Sequence, residues 1–258
     1  MAVMRLDLTR TWADARALLR ANADAISALA GMFILLPGIV SSWLLPEPKV
    51  LAAGASLAAI LRANMDYMAA SWPIFLLSAL VTAFGSLSLL SLLVHRSRPT
   101  VATAMRMGLA ALPVYLLASM LQTLVMVGGM MLFVLPGLYL GARLICISVV
   151  AAAEERRTPF ALLTRSFQIT RGNGWRILLL LSVMLIVSLV VSEAAVAVFG
   201  IVSTLLLPAD IARLIGIAVS SLVAAAFSVA VSLVCASIYR QAIAPPPPVP
   251  TIRWHGRG

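Results

Sequence analysis

Residues 133–150 read FVLPGLYLGARLICISVV. Arg143 is the one charged residue in this largely apolar run. Runs of about 18 apolar residues with few charges cross membranes, so the stretch reads as a spanning helix entered through a turn at Pro136-Gly137. At about 1.5 Å per residue, Arg143 falls roughly 10 Å below that turn. A permanent cation at such a depth costs at least a few kcal/mol if it faces lipid unpaired. The pattern therefore sets two problems: a membrane fold, and a buried charge that needs a partner.

Working outward, the chain repeats the pattern. It is 62% hydrophobic and only 11% charged over 258 residues, whereas a soluble domain is about half apolar and about a quarter charged. Much of the apolar surface must face lipid, so the fold class is all-α, a polytopic membrane protein of six spans with amphipathic interfacial helices. The spans are expected at 25–45, 73–94, 109–132, 138–153, 177–198 and 211–239. A six-helix membrane domain then covers residues 25–242. Before it, residues 1–24 hold an amphipathic helix. After it, residues 243–258, with the run APPPPVP, form an extended and then disordered tail. The first apolar run lacks an A-x-A-like cleavage site and reads as an uncleaved span.

Cations orient the spans. Arg5, Arg10, Arg16, Arg20, Arg96, Arg98, Arg106, Arg156, Arg157, Arg165, Arg171, Arg176, Arg240, Arg253 and Arg257 fall on one side, against Lys49, Arg62 and Arg213 on the other. Positive-inside places both termini in the cytoplasm. The net charge of +10 is then a topology signal, and nucleic acid is not an expected partner. Arg10, Arg16, Arg20, Arg96, Arg98, Arg106, Arg156, Arg157, Arg171 and Arg176 form a basic cytoplasmic collar suited to anionic lipid headgroups.

Local signals punctuate the chain. Trp12, Ala15, Leu19, Ala23 and Ile26 recur at helical spacing over residues 6–24, with arginines off that stripe; the helix lies in the lipid interface or packs on its own protein. Pro37-Gly38 kinks or interrupts the first span. Residues 48–72 form a second amphipathic segment placed at the outer interface, too charged at its end to be read as a span. Thr100 and Thr158-Pro159 are helix starts, and Gly172 suits a left-handed C-terminal cap. FILLPGIV at Phe33 echoes FVLPGLYL at Phe133, which is either an old repeat or the common grammar of helical hairpins. Gly128-Gly129 and the Ala-rich last span read as close helix packing.

For Arg143 the sequence offers Glu193, the one acidic residue inside a clear span. Counting depth from each end puts both in the outer half, where they either pair or reach separately toward the headgroups. Cys146 and Cys235 read as small buried hydrophobes. No paired carboxylates, metal-ligand cluster or phosphate-binding glycine loop stands out, so no catalytic residue, metal or cofactor is expected, and the chain reads as not an enzyme.

Pro136, Gly137, Arg143, Glu154, Arg165, Ser166, Thr170, Gly172 and Trp175 resemble the pattern of the glycerophosphoryl diester phosphodiesterase membrane-domain family and the related YciC-like bacterial inner-membrane proteins. In that family a Pro-Gly turn leads to an arginine-bearing span, an acidic stop and an R-S-x-x-x-T-x-G-x-x-W-like helix. The resemblance covers residues 135–181 in motif and most of the chain in layout. It implies a bacterial inner-membrane protein without the fused phosphodiesterase barrel. Three roles follow as expectations: a non-catalytic organiser of membrane or envelope acting through lipid or protein contacts, a small transporter or lipid-translocating protein, or a membrane anchor for a soluble enzyme.

Overall fold

Short polar caps set the helix starts. The computed structural model describes residues 7–46, 54, 56–95, 99–154 and 158–243. Asp7 accepts from the backbone N–H groups of Thr9 at 2.9 Å and Arg10 at 3.1 Å, filling donors that the first helical turn leaves open, and opens α1 (Leu8–Ala21). After Asn22, α2 (Ala23–Ala30), a π turn (Gly31–Leu35) and α3 (Leu36–Leu44) run on as the first span. Ser56 caps α4 (Leu57–Val94). Thr100 caps α5 (Val101–Leu132) as expected, its hydroxyl accepting from Thr103 N–H at 3.3 Å. Then follow α6 (Val134–Leu144), α7 (Ile147–Ala153), α8 (Pro159–Ile169), α9 (Gly174–Leu206) and α10 (Ala209–Ile243). The protein is all-α, and among the described residues six helices are long and apolar enough to cross a membrane. Arg5, Arg96, Arg98, Arg156, Arg157 and the tail from residue 244 lie outside the described residues.

Three local expectations are corrected. Residues 57–72 are not a separate interfacial segment; they are the first part of α4, which continues through Pro73 for 38 residues. At about 1.5 Å per residue that helix is some 57 Å long, well beyond the ~30 Å hydrocarbon core. Pro136-Gly137 is not the turn. The chain reverses at Phe133, whose backbone is extended (φ −160°, ψ 149°), and Pro136 sits in the first turn of α6, where its missing N–H costs nothing. Pro37 does not break the first span either. It sits in the first turn of α3, just past the π turn, where Leu36 N–H reaches back to Gly31 O.

Lipid supplies no hydrophobic drive between helices, so association depends on close approach and hydrogen bonding. α4 and α5 meet at Gly108, where an added Cβ would lie 2.9 Å from the backbone nitrogen of Ser88. α5 and α6 meet at Gly129, where it would lie 2.9 Å from Gly137 Cα. The neighbouring Gly128 meets nothing within 4 Å, so only one of that glycine pair serves packing. Gly85 of α4 lies against Phe33 of the π turn. α7 sits in the centre, with Ile147, Val149 and Val150 fully buried among Leu87 and Leu90 of α4, Leu162 of α8 and Val234 of α10.

α1 is amphipathic, but its buried face is Thr11, Ala15 and Leu18, about one residue around from the expected stripe. Trp12 and Leu19 are exposed. Gln241 of α10 explains the rotation: its Nε2 donates to Thr11 Oγ1 at 3.0 Å, a buried polar contact that hydropathy does not register.

Candidate functional site

Tyr139 and Arg143 lie four residues apart, hence on one face of α6. That face meets the end of α8 and the start of α9. Arg143 donates from Nε to Thr170 Oγ1 at 2.9 Å, from Nη2 to Phe167 O at 2.7 Å, and from Nη1 to Tyr139 Oη at 3.3 Å. Its guanidinium carbon lies 5.0 Å from the Phe167 ring centre and 5.9 Å from that of Tyr139, within range of favourable cation–π attraction. Among the described residues no carboxylate pairs with it.

The charge of Arg143 is therefore met by a helix end. Phe167 belongs to the last turn of α8 and Thr170 is its C-terminal cap residue. The last carbonyls of a helix lack partners along the helix and carry partial negative charge. Arg143 supplies both a donor and a positive charge to that end.

The expected pair with Glu193 does not form. Gly174 lies beside Arg143, since a Cβ there would stand 2.7 Å from Arg143 Cδ and 2.6 Å from Tyr139 Cε2. Glu193 is nineteen residues further along the same helix, about 28 Å away, and exposed. Depth counting fails because α8 runs back along α7 and starts α9 beside Arg143.

The same junction repairs a break in the fourth span. Between α6 and α7, at Ile145-Cys146, the ladder is interrupted. Open carbonyls at membrane depth need partners. Ser166 Oγ donates to Arg143 O at 2.9 Å, and Thr170 Oγ1 lies 3.1 Å from the same oxygen and 2.8 Å from Ser166 O. Cys235 Sγ of α10 lies 3.7 Å from Ile145 O. Both cysteines are buried and unbridged.

Of the residues that the sequence singles out, Arg143, Ser166, Thr170 and Trp175 come together; Trp175 packs on Tyr139 with ring centres 5.1 Å apart. Gly172 takes the left-handed conformation (φ 77°) between α8 and α9, two residues beyond the cap that ends α8 at Ile169. Arg165 and Glu154 form a second contact at 2.8 Å, to which Tyr239 of α10 adds a bond from Oη at 3.2 Å. Pro136 and Gly137 stand apart at the α5–α6 contact. Tyr139, Phe167, Gly174 and Tyr239 are the members the sequence reading misses; only Tyr139, at helical spacing from Arg143, carries a local signal.

The basic collar is partly described. Arg16, Arg20 and Arg106 are exposed and, among the described residues, make no ion pair or hydrogen bond through their side chains. Arg10 lies 3.9 Å from Asp14. Arg171 is exposed beyond the end of α8, and Arg176 is exposed in the first turn of α9. Arg240, on α10, lines a small cavity with Asp14, Asn22 and His95, which gathers the ends of α1, α4 and α10. No family model, curated protein or solved structure matches this chain. Fold and site together define a polytopic α-helical membrane protein whose most elaborate polar cluster joins α6, α8 and α9.

Proposed function

We propose that this is a non-catalytic protein of the bacterial inner membrane, with both termini cytoplasmic, that organises the membrane by gathering anionic lipid at its arginine-rich end. The observation that carries the reading is the set of uncommitted cations there. Among the described residues Arg16, Arg20, Arg106 and Arg240 have no ion-pair partner. Beside an anionic leaflet each contributes up to about 1 kcal/mol of attraction. Arg143 is by contrast committed to α8, which supports reading it as a structural latch.

The membership proposed is the glycerophosphoryl diester phosphodiesterase membrane-domain family with its YciC-like relatives. The convergence of Arg143, Ser166, Thr170 and Trp175 supports it, because it gives the motif residues one shared structural task. A lipid-translocating role is the second reading, and the interruption at Ile145-Cys146 inside a span favours it, since discontinuous helices line substrate paths in transporters.

Extraction of the protein with its surrounding lipid into polymer-bounded discs tests the first reading. The expected annulus is richer in anionic phospholipid than the bulk membrane, and the Arg20→Gln/Arg106→Gln double variant reduces that excess. An annulus identical to the bulk would overturn it.

A further inference from the structure

An open groove of about 690 Å³ lies between α1, α9 and α10. Its walls are Leu180, Val183, Met184, Val187 and Val191 of α9, facing Val223, Ala226, Phe227 and Ala230 of α10, with Ser188 as the one polar residue in either wall. Leu8, Thr9, Trp12 and Arg16 of α1 complete the lining. From Leu180 to Val191 the groove runs about 16 Å along α9, close to half the ~30 Å hydrocarbon thickness. That is the depth of one leaflet and the reach of one acyl chain.

The α1 side has a different chemistry. Arg16 is exposed and, among the described residues, makes no ion pair, hydrogen bond or ring contact. The Thr9 hydroxyl, two helical turns away on the same face, also makes no hydrogen bond among the described residues. Among the described residues no carboxylate lines the groove. Trp12, 46% exposed, has the amphipathic ring that favours the headgroup boundary. An unpaired guanidinium at the margin of an apolar channel one leaflet deep is complementary to a lipid that carries a net negative charge.

We infer that this groove is a binding site for one anionic phospholipid, with an acyl chain along the α9–α10 seam and the headgroup phosphate on Arg16. The site deepens the proposed function and rests on it: the collar gathers anionic lipid loosely, and the groove holds a single molecule. Arg16 donates to the phosphate oxygens in the two-pronged manner that a planar guanidinium allows. Thr9 supplies a further donor on the same face. The rotation of α1 imposed by Thr11 and Gln241 is what turns Trp12 and Arg16 toward the seam.

The test is retention of added phosphatidylglycerol, with phosphatidylcholine as the control, by the purified full-length protein in mild detergent, read by native mass spectrometry. Wild type is expected to retain one phosphatidylglycerol in preference to phosphatidylcholine. Arg16→Gln is expected to weaken that retention about fivefold, and Arg62→Gln, an exposed arginine of α4 outside both the collar and the lining, to leave it unchanged. Ala226→Leu, which narrows the channel and spares every charge, is expected to reduce retention of both lipids. Equal retention of the two lipids by wild type, or equal effects of Arg16→Gln and Arg62→Gln, would overturn the site. So would a shift from dimer to monomer in Ala226→Leu, which would make the seam a contact between copies. An enriched annulus with no Arg16-dependent retention removes the groove alone; an annulus without enrichment removes the wider reading.

Discussion

α7 and α9 are both apolar along nearly their whole length, and they live in opposite surroundings. In α7, Ile147, Val149 and Val150 have no exposed surface; in α9, Leu179 and Val190 are more than 60% exposed. The segment carrying α9 is the more hydrophobic of the two. In water this would be inverted. In lipid the outside is as apolar as the inside, so hydropathy places a residue in the membrane without placing it in the core. Small residues and hydroxyls mark the core instead. Gly108, Gly129, Ser88, Ser166 and Thr170 are buried where helices meet, whereas much of α9 presents leucine and valine outward.

The largest expected effect that tests this contrast is at Arg143. Arg143→Met keeps the apolar volume and removes three hydrogen bonds from a charged donor, so a loss of about 3 kcal/mol is expected. Thermal unfolding in mild detergent, followed by tryptophan fluorescence, measures it. Arg143→Lys keeps the charge and loses the fork, and should fall between wild type and Arg143→Met; a lysine variant no better than methionine would show that geometry outweighs charge at the end of α8.

Next come the adjacent glycines of α5. Gly129→Ala is expected to lower stability by about 1–3 kcal/mol, because the backbone of α6 stands in the way. Gly128→Ala, facing open space, should be neutral or raise stability by up to about 1 kcal/mol through helix propensity. Paired melting curves decide it, and equal effects would undo the idea that close approach defines this core.

Thr11→Val leaves Gln241 without its acceptor and should cost about 1 kcal/mol; limited proteolysis would show α1 loosening first. The smallest effect is at Glu193. Glu193→Gln should change the melting midpoint by less than the equivalent of about 0.5 kcal/mol, and a larger shift would restore a structural role to that carboxylate.

The sequence made some of this visible. Hydropathy with the arginine distribution gave six spans, because span length and loop charge are local quantities. Thr100, Thr158-Pro159 and Gly172 announced helix ends or turns through side-chain and backbone preferences that act within a few residues. The partners of Arg143 were not visible. Phe167 and Thr170 lie 24 and 27 positions away, and what they present is a helix terminus, which has no letter of its own. Nor could hydropathy show that α4 continues through Pro73. A proline removes one hydrogen bond and adds one clash, and packing decides whether the helix carries on. The face that α1 buries turned on a single threonine–glutamine contact separated by 230 positions.

The π turn at Gly31–Leu35 makes chain length in the first span a discrete quantity. Leu36 N–H bonds five residues back, so one extra residue is wound into the coil. Deleting one residue of Gly31–Leu35 would leave an ordinary α-helix with Ile26 and Leu29 on the bearing they now have, because the π turn spreads over five residues about the rotation that four cover in an α-helix. The expected phenotype of such a deletion is a folded span, whereas deleting one residue of α2, which has no extra residue to give up, would turn the residues before it about 100° away from their partners.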